Sequence, residues 1–292
     1  MTQVRAVFLC WGAPVGQHWG RLIIIGGGED KDGEASILSR VVQCAGGAEA
    51  VIGVIATASR DEKQAERVYE AVFRRLGARA VRAVELPTRR AADDGDGFVS
   101  LGDLTAVFFT GGDQLRITST LGGTRFHHWL RRRSQGGLVV AGTSAGASMM
   151  TDTMIVEGDA ERAPTLNTVR LAAGMGLWAG AVVDQHFSQR GRIGRLLAAL
   201  AENPAVLGVG LDENTAIEVD FQARAFTVWG ERTVTVLDGR PVQHTNASES
   251  EPDQALALTH VTLHVLPRGW RFEWEERRPI RVAGQEGDLD TV

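Results

Sequence analysis

Between residue 21 and about residue 211 the chain alternates short apolar runs with glycine turns and longer amphipathic segments. Residues 22–25 (Leu-Ile-Ile-Ile) run into Gly26, Gly27 and Gly28, and further runs cover 51–55, 80–86, 106–109, 138–141, 181–183 and 206–211. Continuous rather than alternating hydrophobicity predicts strands buried on both faces, as in a parallel sheet covered by helices. The segments 62–76, 125–133 and 193–201 carry helix-like patterns. The expected fold class is α/β, a doubly wound and mostly parallel sheet whose chemistry gathers at the C-terminal ends of its strands.

After Asn214 the texture changes. Residues 216–219, 225–229, 233–237, 257–266 and 270–274 alternate apolar and polar positions, with Gly or Pro turns between them. Period-two alternation predicts antiparallel strands with one wet face. Residues 243–254 and 89–97 are expected to be loops. The organisation predicted is one α/β domain over 21–282, its 215–282 part a β-rich extension, with a 1–20 segment of unassigned role and a frayed tail at 283–292.

Composition narrows the class. A net charge of −5 argues against a nucleic-acid or anionic-membrane partner. Lys31 and Lys63 are the only lysines, so nearly all positive charge is arginine. Cys10 and Cys44 form neither a disulfide framework nor a metal quartet, which favours a reducing, cytoplasmic setting. The apolar stretch at 6–15 is interrupted by Trp11, Gly12 and Pro14, and 171–183 is too short to span a bilayer, so no membrane partner is expected. Glycine is the outlier, at 35 of 292 residues against an ordinary ~7%. Many of these glycines sit at predicted strand ends.

The strongest chemical signal lies where the 138–141 run meets Gly142-Thr143-Ser144-Ala145-Gly146. An apolar strand leading into Gly-x-Ser-x-Gly and then into small helix-forming residues is the context of a nucleophile elbow. Such a turn lifts the Ser144 hydroxyl out of the sheet and leaves the Ala145 backbone N–H free to stabilise an oxyanion. A serine nucleophile needs a base, and the base an orienting acid. One chain order places the base at His244, His260 or His264, in the alternating region or its loop. The other uses His186, in Asp184-Gln185-His186-Phe187 at the end of the 181–183 run, and Glu213, after the 206–211 run. His18, His127 and His128 have no strand-end placement.

Gly-Thr-Ser-Ala-Gly-Ala, Asp-Gln-His-Phe and Leu-Asp-Glu-Asn-Thr-Ala together resemble the cyanophycinase family, serine peptidases related to aspartyl dipeptidase and built on the class I glutamine-amidotransferase-like fold. The resemblance runs from about Arg21 through the C-terminal strands. It implies Ser144 as nucleophile, His186 as general base and Glu213 as its orienting acid, with no cofactor and no metal. By the same analogy, the Gly112 N–H of Thr110-Gly111-Gly112-Asp113-Gln114 joins Ala145 in the oxyanion hole and Gln114 lines the pocket. Gly26-Gly27-Gly28-Glu29-Asp30 lacks dinucleotide spacing and puts acids where a phosphate would sit, so its acids are expected near the pocket rim instead.

Arg190, Arg192 and Arg195 follow His186 closely, and Arg192 and Arg195 share a face at a helix start. That placement is unfavourable for the helix dipole. Its functional reading is binding of substrate carboxylates, with Asp184 and Gln185 in the same substrate-binding set. The resemblance implies cyanophycin as substrate, a poly-aspartate with arginine on each side-chain carboxyl, cleaved to β-Asp-Arg dipeptides, and a homodimer as the assembly. The alternatives are an aspartyl or isoaspartyl dipeptidase, a glutamine amidotransferase (whose elbow would carry Cys), and a non-catalytic binding protein on the same scaffold. Trp178, Trp229, Trp270 and Trp274 are candidates for core or interface.

Overall fold

The computed structural model describes residues 20–94, 101–158, 164–251 and 253–282. The expected N-terminal segment (Gly20 apart), the 283–292 tail, Cys10 and His18 lie outside them. The elements, in chain order, begin with β1 (Leu22–Ile25), α1 (Ser36–Cys44), β2 (Val51–Ile55), α2 (Glu62–Arg75), β3 (Ala80–Ala83) and α3 (Arg89–Asp93). They continue with β4 (Ala106–Phe109), α4 (Gln114–Leu121), α5 (Arg125–Gln135), β5 (Val139–Thr143), α6 (Ala145–Ser148), β6 (Thr153–Gly158), β7 (Val169–Ala173), β8 (Ala181–Gln185) and α7 (Ile193–Glu202). The strands β9 (Leu207–Leu211), β10 (Thr215–Asp220), β11 (Ala225–Gly230), β12 (Thr233–Asp238), β13 (Thr262–Pro267), β14 (Trp270–Glu273) and β15 (Arg278–Arg281) complete the chain.

A nine-stranded sheet runs β15-β14-β11-β10-β1-β5-β4-β2-β3. Its β1, β5, β4, β2 and β3 are parallel, and β10 joins β1 antiparallel. The apolar runs are explained by burial on both sides. Leu22 and Ile24 of β1 pack with α4 and α5 residues Ile117, Leu121, Phe126 and Leu130. Ile23 and Ile25 face α1 and α2, packing with Leu38, Val41, Tyr69 and Phe73. Fully burying one such side chain contributes about 1.5–3 kcal/mol. Helix α2 starts where Asp61 accepts a hydrogen bond from the Gln64 N–H at 2.9 Å, and α5 where Thr124 caps His127.

Two of the expected parallel strands belong elsewhere. The 181–183 and 206–211 runs form β8 and β9 of a separate four-stranded sheet, ordered β13-β12-β9-β8. Only β8 and β9 are parallel there. Helix α7 covers this sheet, with Leu196, Ala199 and Leu200 packed on Val182 and Leu237. The alternating strands extend both sheets: β10, β11, β14 and β15 continue the parallel core, while β12 and β13 continue β9. Within the expected 89–97 loop, residues 89–93 are helical because Thr88 caps Ala91. The 257–266 run is strand only from Thr262 onward. Trp178 is buried against Phe226 and Trp274, which makes it a core residue. No helix among the described residues is long and apolar enough to cross a membrane.

Candidate active site

The ends of the two sheets meet at the turn after β1. Three consecutive carbonyls of that turn receive three segments from distant parts of the chain. Ile25 O accepts the Ser144 N–H at 3.0 Å, Gly26 O the His186 N–H at 2.8 Å, and Gly27 O the Asn214 N–H at 2.9 Å. The Gly26 N–H in turn donates to Thr215 O at 2.9 Å, and the Asp30 N–H to Asn214 Oδ1 at 3.0 Å. The run Gly26 to Asp30 therefore docks the sheet carrying Ser144 onto the sheet carrying His186 and Glu213.

Ser144 sits between β5 and α6 with φ 52° and ψ −109°, a left-handed region that a non-glycine residue occupies only under constraint. The elbow glycines permit this by close approach. A Cβ on Gly146 would stand 2.5 Å from the Phe109 carbonyl oxygen. In this turn Ser144 Oγ lies 3.0 Å from His186 Nε2, and His186 Nδ1 lies 2.6 Å from Glu213 Oε1. With Nδ1–H donating to the carboxylate, Nε2 is left as the acceptor that faces the Ser144 hydroxyl. Gly27 makes room for the imidazole, since a Cβ there would fall 2.3 Å from His186 Cε1. Burial pushes the His186 pKa below the ordinary histidine value; the Glu213 hydrogen bond raises it in part, and the Arg190 charge lowers it again. The shift favours the neutral imidazole, the form a general base requires.

Gly112 and Ala145 present backbone N–H groups that have no acceptor among the described residues. The Gly111-Gly112 turn lies against the elbow, with the position of a Gly111 Cβ 3.4 Å from Ser144 Cβ. Ser59 Oγ donates to Gly111 O at 2.9 Å, and the Asp113 N–H to Ala58 O at 3.0 Å, which fix that turn. The three C-terminal histidines lie elsewhere. His264 is on β13 beside Phe272, and neither His244 nor His260 reaches Ser144. His127 bridges Gly123 and Met175, a structural use.

Several expected substrate-binding residues are engaged within the protein. Arg195 and Asp184 are buried and bidentate: Arg195 Nε donates to Asp184 Oδ2 at 2.6 Å, and Nη2 to Oδ1. Their buried pairing corrects the expected substrate-binding role of both to a structural one. Their pairing also places a carboxylate between guanidinium groups that would otherwise oppose the start of α7. The Gln114 side-chain amide nitrogen is likewise used, donating to Ile155 O at 2.9 Å and Val156 O at 3.1 Å to fasten α4 to β6. Gln185 and Arg192 lie nearer the nucleophile. Arg192 Nη1 donates to Gln185 O at 2.5 Å and to Gln185 Oε1 at 3.0 Å, and that Oε1 is 3.5 Å from Ser144 Oγ. Burial pushes the Arg192 pKa down to about 10, partly offset by Asp184. Arg190 is exposed, and its charge is felt at His186.

Glu29 is not a rim acid but a buried one, held by Tyr69, Thr143 and Lys31. Asp30 orders its own loop by accepting the N–H groups of Asp32, Gly33 and Ala35. Sequence reasoning also missed Asn214, at φ 50°, and Gln189, whose Oε1 accepts the Glu213 N–H at 2.9 Å. The only signal for them was adjacency to Glu213 and His186.

The sequence and the fold have counterparts. The family model described as "Peptidase family S51" matches residues 22–224. The chain belongs to peptidase family S51. Members with similar sequence include the cyanophycinase of Synechococcus elongatus, 38% identical over 255 residues that cover 86% of this chain and 78% of that protein. The cyanophycinase of Geminocystis herdmanii (strain PCC 6308) is 36% identical over 261 residues, covering 89% and 95%. In fold, the chain is similar to a peptidase from an acI-B1 actinobacterium, with a TM-score of 0.65, 22% identity, and 91% and 98% of the two chains covered. It is also similar to a putative peptidase E of Listeria monocytogenes EGD-e, with a TM-score of 0.51, 13% identity, and 73% and 99% covered. In this S51 chain the matched span contains all of Ser144, His186 and Glu213.

Proposed function

We propose that this S51 peptidase hydrolyses cyanophycin to β-Asp-Arg dipeptides, with Ser144 as nucleophile, His186 as general base and Glu213 as the acid that orients it. The observation that carries this is the continuous hydrogen-bonded path from Ser144 Oγ through both ring nitrogens of His186 to Glu213 Oε1. The substrate class is supported by the cyanophycinases among its relatives. Arg192, held on Gln185 near Ser144, and Arg190, whose charge is felt at His186, add positive potential suited to the carboxylates of a zwitterionic polymer.

His186 Nε2 takes the Ser144 proton as Oγ attacks the main-chain carbonyl carbon of an aspartate residue. The carbonyl π electrons move to oxygen, and the oxyanion is stabilised by the N–H groups of Gly112 and Ala145. The imidazolium, paired with the Glu213 carboxylate, then protonates the leaving amine as the C–N bond breaks. Water, deprotonated by the same His186, attacks the ester and releases the carboxylate product and free Ser144.

Ser144→Ala is expected to abolish release of β-Asp-Arg from purified cyanophycin while leaving the circular dichroism spectrum and denaturation midpoint near wild type. Retained cleavage would overturn the assignment. Isoaspartyl dipeptides assayed in parallel separate the polymer-cleaving reading from a dipeptidase: hydrolysis of these alone would move the substrate class. A homodimer is the assembly proposed with this reading, and sedimentation velocity tests it.

A further inference from the structure

Glu29 is the buried acid that the reaction above does not use. Its side chain is 1% exposed, yet it has three donors. Tyr69 Oη donates to Oε1 at 2.5 Å, Lys31 Nζ lies 2.8 Å from the same oxygen, and Thr143 Oγ1 donates to Oε2 at 2.5 Å. Burial, followed by the Glu29 charge, holds the Tyr69 phenol well above its ordinary pKa, so it remains a donor. A buried carboxylate with this many partners holds them tightly, because losing any one leaves charge uncompensated in a poorly solvating interior.

One of those partners is the residue immediately before the nucleophile. The peptide linking Thr143 to Ser144 is pinned twice to the same segment: through the Ser144 N–H on Ile25 O, and through the Thr143 hydroxyl on Glu29. A strained serine keeps its conformation only where its surroundings over-determine it. We propose that Glu29 is a positioning residue for Ser144, acting through the Thr143 hydroxyl and touching neither substrate nor the reacting atoms. Tyr69 and Lys31 hold the carboxylate in the orientation that receives Thr143. This inference rests on Ser144 being the nucleophile.

The test compares Thr143→Val, which removes the hydroxyl at near-constant volume, with Thr143→Ser, which keeps it, and with Glu29→Gln. Active sites are titrated with a fluorophosphonate, so that kcat is expressed per competent site and partial misfolding does not count. Sub-ångström misplacement of a nucleophile predicts a kcat about tenfold lower in Thr143→Val with KM within roughly threefold. Thr143→Ser should recover most of that loss. The Thr143→Val/Glu29→Gln double variant should be no slower than the worse single variant, since both act through one bond. The pH profile should keep its wild-type midpoint, because His186 and Glu213 are untouched.

Wild-type kcat per site in Thr143→Val, failure of Thr143→Ser to recover it, multiplying losses, or a shifted pH midpoint would each overturn the proposal. The comparison among the Thr143 variants stands even if Glu29→Gln does not fold. A wild-type enzyme not labelled at Ser144 would overturn the nucleophile assignment and this inference with it. Labelling of wild type and Thr143→Val at equal rates would overturn the inference alone.

Discussion

Two carboxylate pairs stand two residues apart at the end of β8, and they are built in opposite ways. Asp184 with Arg195 is sealed, its side chains 0% and 5% exposed, and both carboxylate oxygens are taken by one guanidinium. Glu213 with His186 is open, at 37% and 14%, and joined by a single hydrogen bond. Removing one partner of a sealed pair strands a buried charge. An open pair built on imidazole exchanges a proton with a neighbour at little cost. The first pair is suited to holding the strand end in place, and the second to performing chemistry there.

The largest effect that tests this contrast is Glu213→Gln. With the tautomer and charge of His186 no longer supported, kcat should fall by roughly 10²–10⁴-fold, while urea denaturation places stability near wild type. A large stability loss would erase the contrast. Arg195→Met should do the reverse. It leaves Asp184 buried with only Arg192 Nη1, 3.5 Å from Oδ1, as a counter-charge, costing up to about 3–5 kcal/mol in the same denaturation measurement. Adding Asp184→Asn should restore most of that, and if it did not, the loss would lie in packing rather than charge.

Gly27→Ala is next. Its Cβ would fall 2.3 Å from His186 Cε1, at a φ of 94°, so the imidazole must shift, and kcat should drop by about 10–10²-fold. Unchanged kcat would mean that the open pair tolerates displacement. The smallest effect is on pH. Because burial lowers the His186 pKa, kcat/KM should rise with pH through a midpoint below the ordinary histidine value of about 6.5 and be flat near neutrality. Arg190→Met removes a charge that helps lower it, so the acid limb should move to higher pH. Movement in the other direction would contradict the electrostatics.

The same contrast marks what could be read from sequence. That Ser144, His186 and Glu213 come together was legible because each follows an apolar run whose end must be a strand end, with side-chain types suited to a nucleophile, a base and an acid. Arg195 was misread because spacing tells which residues share a helix face, not whether that face looks toward solvent or toward a buried aspartate. The second sheet was invisible for a related reason. A strand covered on both sides has the same composition in either sheet, and pairing partners leave no local trace. Helix α1 was missed because it starts at Ala35, left-handed and without a side-chain cap, so no start signal exists. The Glu29 contacts are long-range and leave no spacing pattern to detect.

The three carbonyls of the β1 turn carry a consequence for when this enzyme becomes active. Ile25, Gly26 and Gly27 are made well before Asn214 and the strands that support Glu213, and contacts so distant in sequence close slowly. A nascent or partly folded chain can hold Ser144 in its elbow and still lack both base and acid. Bringing base and acid to the elbow thus depends on the long-range contacts that join the smaller sheet to the β1 turn.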